Sequence, residues 1–196
     1  MSLAIYYKLL KLTKNSETSP DVGYDSSVIT PVKEAPEGFE KAGYGRIVRF
    51  HTPQTLGDII ARITLQLELP GVSVAAPQSV PTVERAQIKI SSVGICAGSG
   101  GSMLNGLDVD LLFTGELSHH EALAAIEKGK CVITTFHSNS ERRFLEVRMF
   151  DRLKDATQEE IEKLEKKGQW EEGLTKKFTI ANSEADKDPF EILMNK

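Results

Sequence analysis

His137 and Glu141 lie four residues apart, with an imidazole at the end of one apolar strand and a carboxylate in the turn that follows. A nitrogen and a carboxylate oxygen converging across such a junction suit a divalent Zn, Mn or Fe ion. The same stretch also reads as a helix cap. In Ser138-Asn139-Ser140-Glu141 the carboxylate would accept from the Ser138 backbone N–H. Ser118-His119-His120-Glu121 repeats the choice between capping and chemistry. Histidines in a first helical turn face the positive end of the helix dipole and are favoured neutral, the form that ligates metal or accepts a proton. Successive helical side chains diverge by about 100°, so one of His119 and His120 can face a shared site and not both.

Glu116 ends the apolar run Leu111-Leu112-Phe113-Thr114-Gly115, where a carboxylate needs a partner or a cavity. Gly98, Ser99 and Gly100 form a turn between a strand and a short helix, and backbone amides in such a turn attract phosphate. A tight strand–helix turn gives the same residues, and the stretch matches neither the dinucleotide fingerprint nor a phosphate loop ending in Lys-Ser/Thr. His51 closes an earlier strand and reads as structural or exposed. No nucleophile elbow occurs.

These residues need strands to carry them to one edge. Residues 91–145 hold three strand–tip–helix units, and three of the four histidines fall at their tips. Ligands of open α/β sheets bind outside the carboxyl ends of such strands. Earlier in the chain, GYGRIVRF from Gly43 alternates as a strand, and Thr55 caps a helix with Leu56, Ile59, Ile60, Ile63 and Leu67 on one face. VSVAA follows as a strand and PQSVPTVERA as a loop. Further strands are expected at Gln87–Ala97, Asp110–Thr114 and Lys130–Phe136, with helices at Gly101–Leu107, Ser118–Lys128 and Asn139–Lys154. The stretch at 155–172 reads as a charged surface helix with Leu164 and Trp170 turned inward, TKKFTIA as a last strand, and the remainder as a tail. Residues 1–40 read as an irregular segment, its Ser, Thr, Pro, Asp and Gly content between Asn15 and Glu37 marking a long loop. The ordered domain is then 41–196, a layered α/β fold.

Composition narrows the partners. With 196 residues, 40% of them hydrophobic, the chain can build a core without disulfide or metal staples. A net charge of −4 argues against a broad nucleic-acid face. Cys96 and Cys131 sit in apolar strands with no metal-binding spacing, as buried thiols of a reducing compartment do. No run reaches the 18 or so apolar residues of a membrane span. The start is basic but lacks Arg, so a cytoplasmic location is expected, with nuclear or mitochondrial ones as alternatives.

Taken in order, GYGR at 43–46, GICAGSGGS at 94–102, DVDLLFTGELSHHEAL at 108–123 and HSNSERRFL at 137–145 resemble the carboxy-terminal half of the Nif-three-like (NGG-one interacting factor three) family, in its eukaryotic, fungal form. The tail SEADKDPFEI is similar to that family's ending, and 155–172 stands out as a charged helical insertion. The resemblance implies an α/β fold, ring-like homo-oligomers and two neighbouring divalent ions. It implies that His137 and Glu141 are metal ligands and that Glu116, His119 and His120 line the same cavity. Some members carry the label type-2 GTP cyclohydrolase I, which implies metal-dependent hydrolysis with Glu116 or His120 moving protons and Gly98, Ser99 and Gly100 at a substrate phosphate. The family name implies instead a protein-interaction module bound to a transcriptional coactivator.

The family's other ligands come from a His-His-Pro motif and a later His-Thr…Asp segment. No His-His-Pro occurs here, and His51-Thr52 has no Asp at the matching distance. Two residues do not hold two ions that each take three or four protein ligands. The expectation is therefore weak metal binding and an incomplete hydrolase-like site. Apolar surface that the other half would cover is expected to drive self-association. Size-exclusion chromatography tests this, and a monodisperse monomer would contradict it.

Overall fold

The computed structural model describes residues 23–170 and 178–190. Expected and observed strands agree closely where β-branched and apolar residues run together. Strand β1 is Tyr24–Pro31, β2 Gly43–Thr55, β3 Ser73–Ala75, β4 Lys89–Ser99, β5 Leu111–Glu116 and β6 Cys131–Thr134. They form one six-stranded mixed sheet in the order β1-β2-β4-β5-β6-β3. The central strands β4, β5 and β6 are parallel, with Val93 opposite Leu111 and Leu111 opposite Cys131. The flanking pairs β1–β2, β2–β4 and β3–β6 are antiparallel.

Parallel strands buried on both faces need apolar residues at successive positions, and β5 supplies them. Helix α1, Leu56–Leu67, covers one face. Its Thr55 cap accepts from the Asp58 N–H as expected. Leu56, Ile59 and Ile63 are buried against Val93, Ile95, Phe113 and Ile133, while Ile60 and Leu67 are only partly buried. The other face packs Leu112, Val132 and Cys96 against Leu104 of α2, Gly101–Leu104, and Ala125 of α3, His119–Glu127. Gly129 ends α3 at φ +78, which glycine adopts without steric cost. The loop expected before β4 contains a 3₁₀ helix at Thr82–Gln87.

Both cysteines are free and buried, as their strand positions suggested. Burial pushes the Cys131 thiol up to about 11, with a smaller push from the Asp110 carboxylate. Cys96 is also raised, by burial first. Among the described residues no helix is long and apolar enough to cross a membrane.

Two expectations need correction. The stretch at 15–37 is not loop throughout, because Tyr24–Pro31 pairs with β2 from Tyr24 opposite Phe50 to Pro31 opposite Gly43. Its composition favours turns, but a long antiparallel partner and the run Val28-Ile29-Thr30 outweigh that preference. Pro31 costs no central ladder bond at the end of an edge strand. Residues 178–181 of the expected last strand are not a strand, and 175–177 lie outside the described residues.

The chain forms two compact units, one ending at Glu141 and one beginning at Arg142. In the second, the helix expected to Lys154 passes through a π turn at Leu145–Met149 and continues as α5, Phe150–Lys166 (after a short α4, Arg142–Phe144). The charged stretch expected to be helical is so as far as Lys166, within that same helix. Leu164 and Trp170 are half-buried. Arg142 holds the segment at 186–187, its guanidinium pairing with Asp186 at 2.6 Å and donating to the Lys187 carbonyl at 2.8 Å.

Phe113 is fully buried at the centre of the sheet. Phe113→Ala should cost about 3–5 kcal/mol in denaturant unfolding, whereas Leu65→Ala on the exposed face of α1 should cost under about 1 kcal/mol. Similar losses for the two variants would contradict this core assignment.

Candidate metal site at the strand tips

The parallel register decides which side chains meet. Ser99 at the end of β4 lies opposite Glu116 at the end of β5, and its hydroxyl donates to Glu116 Oε2 at 2.8 Å. Beyond β6 the chain turns through Phe136, at φ +66, into His137. A bulky residue in the left-handed region is strained by about 1–2 kcal/mol. That turn is fixed by Ser140, whose N–H points to the carbonyls of Phe136 and His137 at 3.4 and 3.1 Å. Ser138–Ser140 is accordingly a 3₁₀ turn.

His137 stands between two carboxylates. Its Nδ1 is 3.1 Å from Glu116 Oε2, and its Nε2 is 3.6 Å from Glu141 Oε2. The side chains of His137 and Glu116 are about half exposed and that of Glu141 is 24% exposed, so the group opens to solvent from a partly buried floor. Each ring nitrogen thus faces one carboxylate. Glu141 therefore points at the imidazole and does not cap Ser138, and the 3₁₀ turn has no side-chain cap. The partner that a carboxylate at Glu116 required is His137, supported by Ser99.

Gly98 forms the floor of the group. It has φ +70, and a Cβ added there would lie 3.0 Å from both Glu141 Oε1 and His137 Nε2. Its carbonyl accepts from Thr114 Oγ1 at 2.9 Å, and its N–H donates to Ser140 Oγ at 2.8 Å. Gly100 N–H donates to the Glu116 carbonyl at 3.3 Å. Two of the amides expected to hold a phosphate are thus committed within the protein. The Glu121 carboxylate also presses against the Cα of Gly101, at the start of the single-turn α2. The adjoining cleft of about 470 Å³ is lined by Ser99, Gly101, Ser102, Glu116, Leu117, Ser118 and Glu121, with no basic side chain among them.

His119 and His120 are placed differently from His137. Both are exposed in the first turn of α3, and their rings pack edge to face, 5.7 Å apart. Glu121 completes the capping box with Ser118. Bonds from the Ser118 backbone and hydroxyl hold its carboxyl below the usual range. His51 pairs with Asp25 at 3.2 Å on the exposed β1–β2 ladder. The structure therefore brings Ser99, Glu116, His137 and Glu141 together over Gly98. Among the described residues, no three His, Cys, Asp or Glu form a group that could hold a metal ion alone.

Sequence reading noticed Ser140 only as part of a capping motif and did not select Thr114 at all. Both are buried, and both hydroxyls bond to Gly98 backbone atoms. Thr114 precedes Gly115, a local signal that Ser140, between Asn139 and Glu141, lacks.

Known proteins resemble this chain over the same region. The family model described as Duf34/NIF3 (NGG1p interacting factor 3) matches residues 4–168. Protein NIF3 homolog of Schizosaccharomyces pombe is 42% identical over 125 residues, covering 64% of this chain and 43% of that protein. NGG1-interacting factor 3 of Saccharomyces cerevisiae is 43% identical over 121 residues, covering 61% and 41%. The chain thus spans less than half the length of these relatives. A crystal structure of a Bacillus cereus protein related to NIF3 shares the fold, with a TM-score of 0.55 at 21% identity over 77% of this chain and 36% of that one. The family model matches most of the length of this six-stranded mixed α/β chain, which therefore belongs to the Duf34/NIF3 family.

Proposed function

We propose that His137 and Glu141 form one wall of a divalent-metal centre in a hydrolase-like protein, with Glu116 holding His137 in place. The observation that carries this reading is the imidazole with Nδ1 on Glu116 and Nε2 turned to Glu141 at 3.6 Å. That separation is long for a hydrogen bond. Zinc–ligand distances of about 2.0–2.2 Å sum to more than it, so the two donors suit a bent arrangement around one ion. A histidine ligand ordinarily donates its other ring N–H to a carboxylate, which fixes the tautomer, and Glu116 fits that role better than that of a free base. Gly98 supports the reading too, since a Cβ there would press on both donors.

A bound Zn, Mn or Fe ion would supply Lewis acidity for hydrolytic chemistry. His137 and Glu141 would hold it, Glu116 would orient His137, and Ser99 would steady Glu116. The open, half-exposed side of the group would receive further ligands and substrate. His120 would move protons only if it turned from its ring contact with His119. The acidic lining of the adjoining cleft disfavours a phosphate at Gly98, Ser99 and Gly100 and favours neutral or cationic ligand groups. With two donors, this chain would bind one ion weakly.

A second reading is a homo-oligomeric interaction module for a transcriptional coactivator. The name of the yeast relative, NGG1-interacting factor 3, favours it. On that reading the surface of the fold matters and His137 and Glu141 are dispensable.

Zinc titration of the purified chain by calorimetry separates the two. On the metal reading, His137→Ala and Glu141→Ala each abolish binding, and Glu116→Gln weakens it about 10–100-fold. Affinity falls as pH is lowered, because protons compete for the imidazole and carboxylate. A folded wild-type chain that takes up no zinc would sink the metal reading. Coactivator capture that survives the double His137→Ala, Glu141→Ala change would then support the interaction reading.

A further inference from the structure

We infer that Ser140 is the positioning residue of this site, a buried hydroxyl that ties the tip of β4 to the turn after β6, close against β5, and sets where His137 stands. The inference rests on the metal reading of His137 and adds a residue with no ligand role of its own. Ser140 is 2% exposed, three positions beyond His137. Its Oγ donates to the His137 carbonyl at 2.7 Å and accepts the Gly98 N–H at 2.8 Å. One oxygen therefore links the backbone of the residue carrying the imidazole to the glycine beneath that imidazole.

Strand β5 packs closely against the same point. A Cβ added at Gly115 would lie 2.7 Å from Ser140 Oγ, 2.8 Å from the Gly98 carbonyl and 3.0 Å from the Phe136 carbonyl. The hydroxyl thus occupies space that only a glycine on β5 leaves open. Glu116 is the next residue, and its carboxylate is the Nδ1 partner of His137. The registers of Glu116, Gly98 and His137 all meet at this point.

The strain at Phe136 shows why such a tie is needed. A Phe at φ +66 favours relaxing towards the extended region, and relaxation would swing His137 away from Gly98. The Ser140 N–H on the Phe136 and His137 carbonyls opposes that from one side, and the Ser140 hydroxyl on the His137 carbonyl and Gly98 N–H from the other. Removing the oxygen leaves the buried Gly98 N–H without its partner, the costly way to lose a hydrogen bond, and leaves the His137 carbonyl with the Ser140 N–H alone. The backbone then moves to satisfy them, and His137 moves with it.

The test compares Ser140→Ala and Ser140→Thr with the wild-type chain, using zinc as the probe. Calorimetric affinity and thermal midpoint are read in parallel, with nuclear Overhauser contacts between the His137 ring and the Gly98 α-protons in metal-free protein. Ser140→Ala should stay folded at 20 °C, weaken zinc binding about 10–100-fold and lose the His137–Gly98 contacts. Ser140→Thr keeps the oxygen and should retain both. A purely structural serine would lower the midpoint and leave zinc affinity and ring contacts unchanged, which would overturn the inference. So would loss of affinity in a folded Ser140→Thr, since the oxygen would then not be the determinant. If wild type binds no zinc, the metal reading fails by itself, and the ring contacts still decide whether Ser140 sets His137. If Ser140→Ala does not fold, the Ser140→Thr result decides.

Discussion

A one-residue slip between β5 and β6 would put Phe113 and Ile133 on opposite sides of the sheet and part His137 from Glu116. The parallel pairing of β4, β5 and β6 is therefore the constraint on which the rest depends. It is enforced by burial, because Ile95, Phe113 and Ile133 are all completely enclosed beneath α1. The same register that hides these residues brings Ser99 opposite Glu116 and sends the turn after β6 back over Gly98. Core packing and site geometry are two consequences of one alignment.

The site has the features of a place where local comfort has been exchanged for geometry. Phe136 is held in the left-handed region, Gly98 carries φ +70, and Gly115 has no room for a methyl group. Each departure brings backbone close to a side chain of the proposed site. Small residues and a strained turn allow His137 to stand between Glu116 and Glu141, and buried hydroxyls on Ser140 and Thr114 hold the backbone beneath them. A site built this way tolerates change poorly at residues that touch no ligand.

The competing readings of the capping motifs were resolved in opposite directions. Ser118 and Glu121 form a complete capping box, and the adjacent histidines lie exposed on the first turn of α3. Ser138 and Glu141 form none, because the following segment opens as a 3₁₀ turn and Glu141 faces His137. The two motifs are alike in sequence. What separates them is whether a regular helix follows immediately, and that depends on how the turn is anchored to neighbouring strands.

Hydrophobic runs and turn residues were enough to locate β2, α1, the three central strands and α3, since each satisfies its own period and carries its own cap or stop. They were enough, too, to place His137, Glu116 and Gly98 at strand tips, where open sheets bind ligands. Local sequence did not reveal β1, whose Ser- and Pro-containing segment is a strand only because β2 offers it eight residues of antiparallel partner. Nor did it reveal that Glu141 abandons its cap, that two of the glycine-turn amides are already bonded, or that Ser140 is buried among three strand tips. Those outcomes depend on how distant segments meet, as Gly98 meets Ser140 and Gly100 meets Glu116. Periodicity and capping rules describe only a residue's near neighbours, so such contacts exist only once the sheet has closed.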